Sequence, residues 1–573
     1  MNRKFLLPTA LLAGGLILTG CTTVPAEPGE KPSAAATAQA STESVEPVLT
    51  GDLTPAEVMA ENADYTTFNT DEWDESDAID VTLSGTTATV AGETGGVTAN
   101  GSTVSITAAG VYRLTGTFEG GIVVAAPDDA EVVLLLDGVT VANASGAAID
   151  VQSADDVAIH LAKGSSNTVS DAASYTADAD ANAAISAASD LTISGSGSLE
   201  VTGKGGHGIK STDDLVILDG TLEVTAAEDA LRGKDALVVE GGALTLRATS
   251  GDGMKSKGDD GETDASAIDW TQGYTYVSGG SVDIEAGDDG IQSFTDTVLT
   301  GGTVTVAAAD DGVKAEAIVS IGESSGIPAP TVTVTTSNEG IEAANIGIGG
   351  GVVSVTATDD GLNASGNAEL QARIDGTEAT ADGADEFGNS GERLEIAGGT
   401  VTVDAEGDGL DSNGDLTISG GATVVYGPTR GGNGSLDANG ELTISGGTVT
   451  TYGPNSMEQT PSAGDAGWVL VPAALAAGQQ AQLVDESGAV VAELSAKKAA
   501  ANIIFASTTV SAGATYTVVA GGETLGTAVA GEGGMGGGPG GMGGPGEMGS
   551  GGPGEAGGMP GGGEPPARPG EDS

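Results

Sequence analysis

One phrase recurs along the middle of this chain and narrows its possible folds more than any other feature. Leu215-Val-Ile-Leu-Asp-Gly-Thr-Leu-Glu-Val-Thr-Ala226 returns as Leu237-Val-Val-Glu-Gly-Gly-Ala-Leu-Thr-Leu-Arg-Ala248, 22 residues on. Related phrases start at Leu191, Thr275, Thr297, Ile346, Leu394, Leu416 and Leu442, and the step from Thr275 to Thr297 is again 22 residues. Each reads as a short strand, a Gly-Gly turn and a second strand with alternating apolar residues. A unit of this length holds three short strands and three turns, and it can bury its apolar side only against its neighbours. The expectation is an all-β fold: a right-handed parallel β-helix of about 22 residues per coil, parallel crossovers being right-handed in nearly every case.

Composition agrees with thin, repeated layers. Aromatic residues make up 3% of the 573, Gly numbers 96, and the apolar residues are mostly Val, Ile, Ala and Leu. Acidic residues number 82 against 19 Lys and Arg, a formal net charge of -63. A nucleic-acid partner requires the opposite sign, so none is expected. Cation binding or salt tolerance suits the charge.

The ends read differently from the middle. Arg3 and Lys4 precede an apolar run, Phe5 to Leu18, and then Leu18-Thr-Gly-Cys21. The run is too short to span a bilayer. It is expected to be a lipoprotein signal peptide over residues 1–20, with Cys21 as the lipidated residue anchoring the protein to the extracellular face of the cell membrane. Residues 21–60 read as a flexible tether, with a short helix possible from Pro55 to Asn62. The β-helix is expected over 61–460 and a small β domain capping it over 461–525. A Gly-, Pro- and Met-rich tail over 526–573 has too little apolar content for a core. Acidic insertions interrupt the repeat at Ser256 to Gly273, carrying Asp259, Asp260, Asp264, Asp269 and Trp270, and at Ser365 to Glu392, carrying Phe387.

A second phrase precedes the strands: Gly251-Asp-Gly-Met-Lys-Ser256, Asp288-Asp-Gly-Ile-Gln-Ser293, Asp310-Asp-Gly-Val-Lys-Ala315, Asn338-Glu-Gly-Ile-Glu-Ala343, Asp359-Asp-Gly-Leu-Asn-Ala364 and Gly407-Asp-Gly-Leu-Asp-Ser412. Recurring once per coil, its carboxylates stack. Charges about 5 Å apart repel by roughly 3 kcal/mol at an effective dielectric of 20. A bound divalent cation would relieve this, and Ca²⁺ accepts irregular sets of six to eight oxygens. Asp289, Asp311, Glu339, Asp360 and Asp408 form the expected column. His160 and His207 are isolated, which disfavours zinc. Diffuse salt around a solvated column is the alternative. Beside it run Lys210, Arg232, Lys255, Gln292 and Lys314, either a strip for anionic sugars or counter-ions to the ladder. Trp270 and Tyr274 are candidate sugar contacts. Tyr426 and Tyr452 sit at equivalent repeat positions, where coil packing competes with a binding role.

At Asn182-Ala-Ala-Ile185, Asp190-Leu-Thr-Ile-Ser-Gly-Ser-Gly-Ser-Leu199, His207-Gly-Ile-Lys-Ser211, Arg232-Gly-Lys-Asp235 and Gly251-Asp-Gly-Met-Lys-Ser256, the sequence resembles the bacterial carbohydrate-binding β-helix proteins of cellulolytic bacteria, which share the pectate-lyase fold. The resemblance spans roughly 75–525. It implies a right-handed β-helix, bound Ca²⁺ and non-catalytic binding of cellulose or acidic sugars such as polygalacturonate. Its motif carries Asp252, Asp288, Asp289, Asp310, Asp311, Asp359 and Asp360 as ligand candidates.

The sequence reading is therefore a cell-surface, Ca²⁺-loaded polysaccharide-binding lipoprotein, expected as a monomer. No nucleophile motif or phosphate loop is present. Two other readings stay open. A Ca²⁺-dependent lyase would use Arg232 or Lys255 as base. A surface stalk or adhesin would use the ladder only for stiffness.

Overall fold

Alternation decides which side of each strand is buried. In Thr221–Ala226 the pattern runs exposed, buried, exposed, buried, exposed, buried, with Leu222, Val224 and Ala226 inward. The same parity holds in Ala243–Ala248 and Thr400–Ala405. Val, Leu and Ile from successive rounds join one continuous core running from Val81 to Ala506. The computed structural model describes residues 49–92, 95–176, 179–259, 268–323, 329–366, 371, 388–455, 457–532 and 535–536. The signal peptide, Cys21, Asp260, Asp264, Phe387 and residues 537–573 lie outside them.

The protein is all-β, with long sheets of mainly parallel strands. One round consists of His207–Ser211, Leu215–Ile217 and Thr221–Ala226. The next consists of Leu231–Gly233, Ala236–Val239 and Ala243–Ala248, each strand pairing in parallel with its counterpart. Leu215 faces Leu237 and Leu222 faces Leu244, so the period seen in the sequence is the step between rounds. The first strands of the rounds make a 14-stranded sheet ending at Leu436–Ala438; the others join a 28-stranded sheet. Along the stack neighbouring strands lie about 4.8 Å apart.

Two kinds of glycine permit this spacing. In the Gly-Gly turns the second residue is left-handed, as at Gly302 with φ 73°. The glycine of the acidic phrase answers a different demand: a Cβ on Gly290 would lie 2.4 Å from the Gly312 carbonyl oxygen of the next round. It allows close approach of two backbones.

Both ends are closed by antiparallel pairing. Val97–Asn100 pairs antiparallel with Thr103–Ile106 at the first rungs. At the other end Thr448–Gly453 pairs antiparallel with Ala500–Ser507, which pairs with Gly467–Leu475. A four-stranded antiparallel sheet completes that C-terminal unit around Leu483, Phe505 and Val518.

From Leu49 to Ala78 the chain is packed lengthwise across the rounds, although the tether was expected to reach residue 60. Thr50 bonds Glu395, the Leu53 carbonyl accepts from Ser320 Oγ, and Asn62 donates to Asp296. Further on, Tyr65 donates to Glu240, Phe68 N to Thr192 Oγ1, and Glu75 accepts from Arg113. The helix Pro55–Glu61, capped by the Thr54 side chain, lies within this strap. Leu49, Leu53, Val58 and Phe68 are buried beneath it, which explains why it is ordered.

Candidate functional site

The first strand of each round places one side chain outward at its centre. Register aligns Val123, Asp150, Ser186, Lys210, Arg232, Lys255, Gln292, Lys314, Glu342, Asn363, Asp411 and Asp437 in one column. Two residues before the inward Leu, Ile, Met or Val of each strand lies the acidic ladder: Asp229, Asp252, Asp289, Asp311, Glu339, Asp360 and Asp408.

The ladder carboxylates are braced by backbone. Asp252 N donates to Asp229 Oδ1 at 3.1 Å, Asp289 N to Asp252 Oδ1 at 3.0 Å, and Asp311 N to Asp289 Oδ1 at 2.9 Å. Asp408 N and Gly434 N continue the pattern onto Asp360 and Asp408, each at 2.5 Å. Such donors favour the charged form. The acidic pairs named from sequence are thereby split. Asp252, Asp289 and Asp311 are buried, whereas Asp288, Asp310 and Asp359 are exposed. They still converge locally: carboxylate oxygens of Asp288, Asp289 and Asp310 lie within 4.8 Å of one another, as do those of Asp311, Glu339 and Glu342.

The cations fold back onto this ladder. Arg232 meets Asp229 at 2.7 Å, Lys255 meets Asp252 at 2.9 Å, and Lys314 bridges Asp311 at 2.7 Å and Glu342 at 2.6 Å. They serve as internal counter-ions. A lyase base would have to be free of such a partner, so this arrangement does not favour that reading of Arg232 or Lys255. Lys210 instead donates to Asn182 Oδ1 at 2.8 Å.

Beyond Glu342 the compensation stops. Among the described residues no Lys or Arg pairs with Asp360, Asp408, Asp411 or Asp437. Burial, reinforced by Asp360, Asp408 and Asp437, pushes the Asp411 carboxyl up to about 8. Burial, with neighbouring carboxylates, raises Asp360 and Asp408 to about 6. At the compensated end, Asp229 lies below its ordinary range: burial opposes its charge, but His207 and Arg232 outweigh it. Asn363 sits in register between Glu342 and Asp411. Its Nδ2 donates to Glu339 Oε2 at 2.9 Å, while its Oδ1 is buried with no hydrogen-bond partner. At 8% exposure, that carbonyl oxygen turned away from Glu339 is a ready ligand for a hard cation.

A further acidic group was missed from sequence. Asp190, Asp213 and Asp214 bring oxygens within 4.8 Å, and burial raises Asp214 to about 7. Its signal was available: Asp190, Asp214, Asp235 and Asp296 each precede or open the second strand of a round. Trp270 stacks on Phe294 with centroids 4.8 Å apart, and with Lys255, Lys257, Gln292 and Glu316 lines a pocket of about 280 Å³. Tyr274 lies away from that surface. It is 1% exposed, packs on Val216 and Val238, and donates its hydroxyl to Ala63 under the strap. Tyr426 and Tyr452 stack at 5.1 Å and pack against the C-terminal unit.

These features define an all-β, ladder-stacked repeat protein with a buried line of carboxylates along one sheet. The sequence signature of the family described as "Carbohydrate-binding domain-containing protein" matches residues 100–386, half of the chain, and the chain belongs to that family. A carbohydrate-binding domain-containing protein of Acetivibrio thermocellus is 34% identical over 128 residues, covering 22% of this chain and 45% of the relative. The chain thus matches less than half the length of that relative. Among solved structures, the polysaccharide lyase-like protein from C. thermocellum, as its gadolinium derivative, is 29% identical, with a TM-score of 0.41 over 45% of this chain and all of that one.

Proposed function

We propose that the protein is a non-catalytic polysaccharide-binding protein. In this reading its ladders wind as a right-handed parallel β-helix, held as a monomer on the extracellular face of the membrane by lipid on Cys21. The observation that carries the binding role is the unbroken outward column on one long sheet of a carbohydrate-binding family member. It offers a glycan chain side chains at a regular spacing from rung to rung.

Ca²⁺ belongs to the uncompensated part of the ladder. Asp360, Asp408, Asp411 and the orphaned Asn363 Oδ1 are hard oxygen donors, and they would hold it. The ion would neutralise carboxylates that no described Lys or Arg neutralises, and so rigidify those rungs. Asp252 and Asp311 are candidates of lower rank because Lys255 and Lys314 already occupy them.

The test is calorimetric titration of the full chain carrying Cys21→Ser, with cellulose oligomers and polygalacturonate, in Ca²⁺ and in EDTA. Binding of at least one glycan, without appearance of unsaturated uronide, is expected. Silence towards both would overturn the binding role, and uronide formation would replace it with a lyase.

A further inference from the structure

The ladder position changes character towards the N-terminal end. Rungs aligned with Asp229 and His207 carry Ala183, Ala147, Gly120 and Ser102 there, each two residues before the inward Ile185, Ile149, Ile122 and Val104. Where the carboxylates are missing, a groove of about 1240 Å³ opens along the same sheet. It reaches from Thr103 to Lys210, four rung steps or roughly 19 Å at ~4.8 Å per step.

Its lining is rich in hydroxyl and amide groups, including Asn143, Ser145, Gln152 and Ser186. Ser186 is 5% exposed, and its hydroxyl makes no hydrogen bond among the described residues. That hydroxyl is not sealed off from the groove, so it can donate to or accept from a group lying there. Tyr175 also lines the groove. Its hydroxyl is engaged by Asp171 Oδ2 at 2.8 Å and the Ala183 carbonyl at 2.9 Å, so it offers ring carbon to an occupant. Gln152 Nε2 donates to Asp150 Oδ2 at 2.7 Å, which fixes that amide. The charged groups lining the groove are Asp150, Asp180 and Lys210. Two acids and one base, within a chain of net charge -63, repel an anionic polymer. The cations that could have drawn one, Arg232, Lys255 and Lys314, are spent on the ladder.

We propose that this groove binds an uncharged, hydroxyl-rich glycan chain lying along the stack, about one sugar ring to each rung step. The inference rests on the polysaccharide-binding reading and specifies its ligand class and its place. Rung pitch is close to the advance of a pyranose along a 1,4-linked chain, so successive rings would meet Asp150, Ser186 and Lys210 in turn.

The experiment titrates cellohexaose and hexagalacturonate into the full chain carrying Cys21→Ser, and into Gln152→Trp and Ser145→Trp versions of it. Both positions are exposed, so the indole fills the groove without disturbing the core. Gln152→Ala provides a milder variant should either fail to fold. The expected result is cellohexaose binding that falls by at least about tenfold in the Trp variants with unchanged melting, and a smaller loss in Gln152→Ala. Equal binding by all variants would overturn the groove and leave polysaccharide binding standing. Preference for hexagalacturonate would overturn the uncharged ligand alone. Binding of neither by the parent chain would remove both proposals.

Discussion

The two halves of the acidic ladder are built on the same backbone and solve the same electrostatic problem differently. From Asp229 to Asp311 most rungs carry their own cation three residues on: Arg232, Lys255 and Lys314. From Asp360 to Asp437 the corresponding positions are Asn363, Asp411 and Asp437 itself, and no described Lys or Arg meets the charge. Asp289 shows the transition in miniature. Its neighbour is Gln292, and burial raises its carboxyl to about 7. The lesson is that a repeat can keep its geometry while changing what it asks of the solution. Most rungs of one half meet the carboxylate with a cation of their own, and among the described residues the other half has none.

Four outcomes would sharpen or break this contrast. The largest is expected from Lys314→Met, which leaves Asp311 and Glu342 buried without a counter-ion and should cost about 3 kcal/mol in urea melts. A loss no greater than that of a surface lysine would mean the first half is not internally compensated. Next, Ca²⁺ at a hundredfold excess over its dissociation constant should stabilise the chain by about 2.7 kcal/mol. Asn363→Ala and Asp411→Asn should abolish that gain, and in EDTA at pH 7 Asp411→Asn should itself stabilise by on the order of 2 kcal/mol. Persistence of the full Ca²⁺ gain in both variants would place the ion elsewhere.

The third outcome concerns pH. The carboxyls of Asp360, Asp408 and Asp411 sit above their ordinary value of 3.8 in the folded chain. The folded state therefore holds protons that the unfolded state has released, and stability falls as pH rises. In EDTA the melting temperature should decline from about pH 4 to pH 8, and Ca²⁺ should flatten the decline. A metal-free chain that gains stability across that window would refute the raised values. The smallest effect is expected from Asp310→Asn at the exposed member of its pair, within about 0.5 kcal/mol. A loss as large as that of Lys314→Met would erase the distinction between buried and exposed columns.

Much of this architecture could be read before any coordinates. The spacing from Leu215 to Leu237 gave the step between rounds, and the Lys210 to Lys314 series gave the outward column, because repetition converts sequence distance into register. Parity was harder. Adjacent acids such as Asp310 and Asp311 look alike in sequence, yet one faces solvent and the other accepts a backbone N–H. The strap from Leu49 to Ala78 carries no repeat, so its docking across distant rounds left no trace. The groove escaped notice for a related reason: Ala183, Ala147 and Gly120 are conspicuous only once they are aligned with the aspartates they replace.

The strap also fixes how the molecule would bear a load. Its contacts run from Glu395 near Thr50, through Asp296 and Glu240, to Arg113 near Glu75. Tension entering the chain just ahead of Leu49 would meet these attachments one at a time, as tape is lifted from one end. Each attachment would pass its load to the round that holds it before giving way, so about thirty residues of strap would peel before any rung had to unwind.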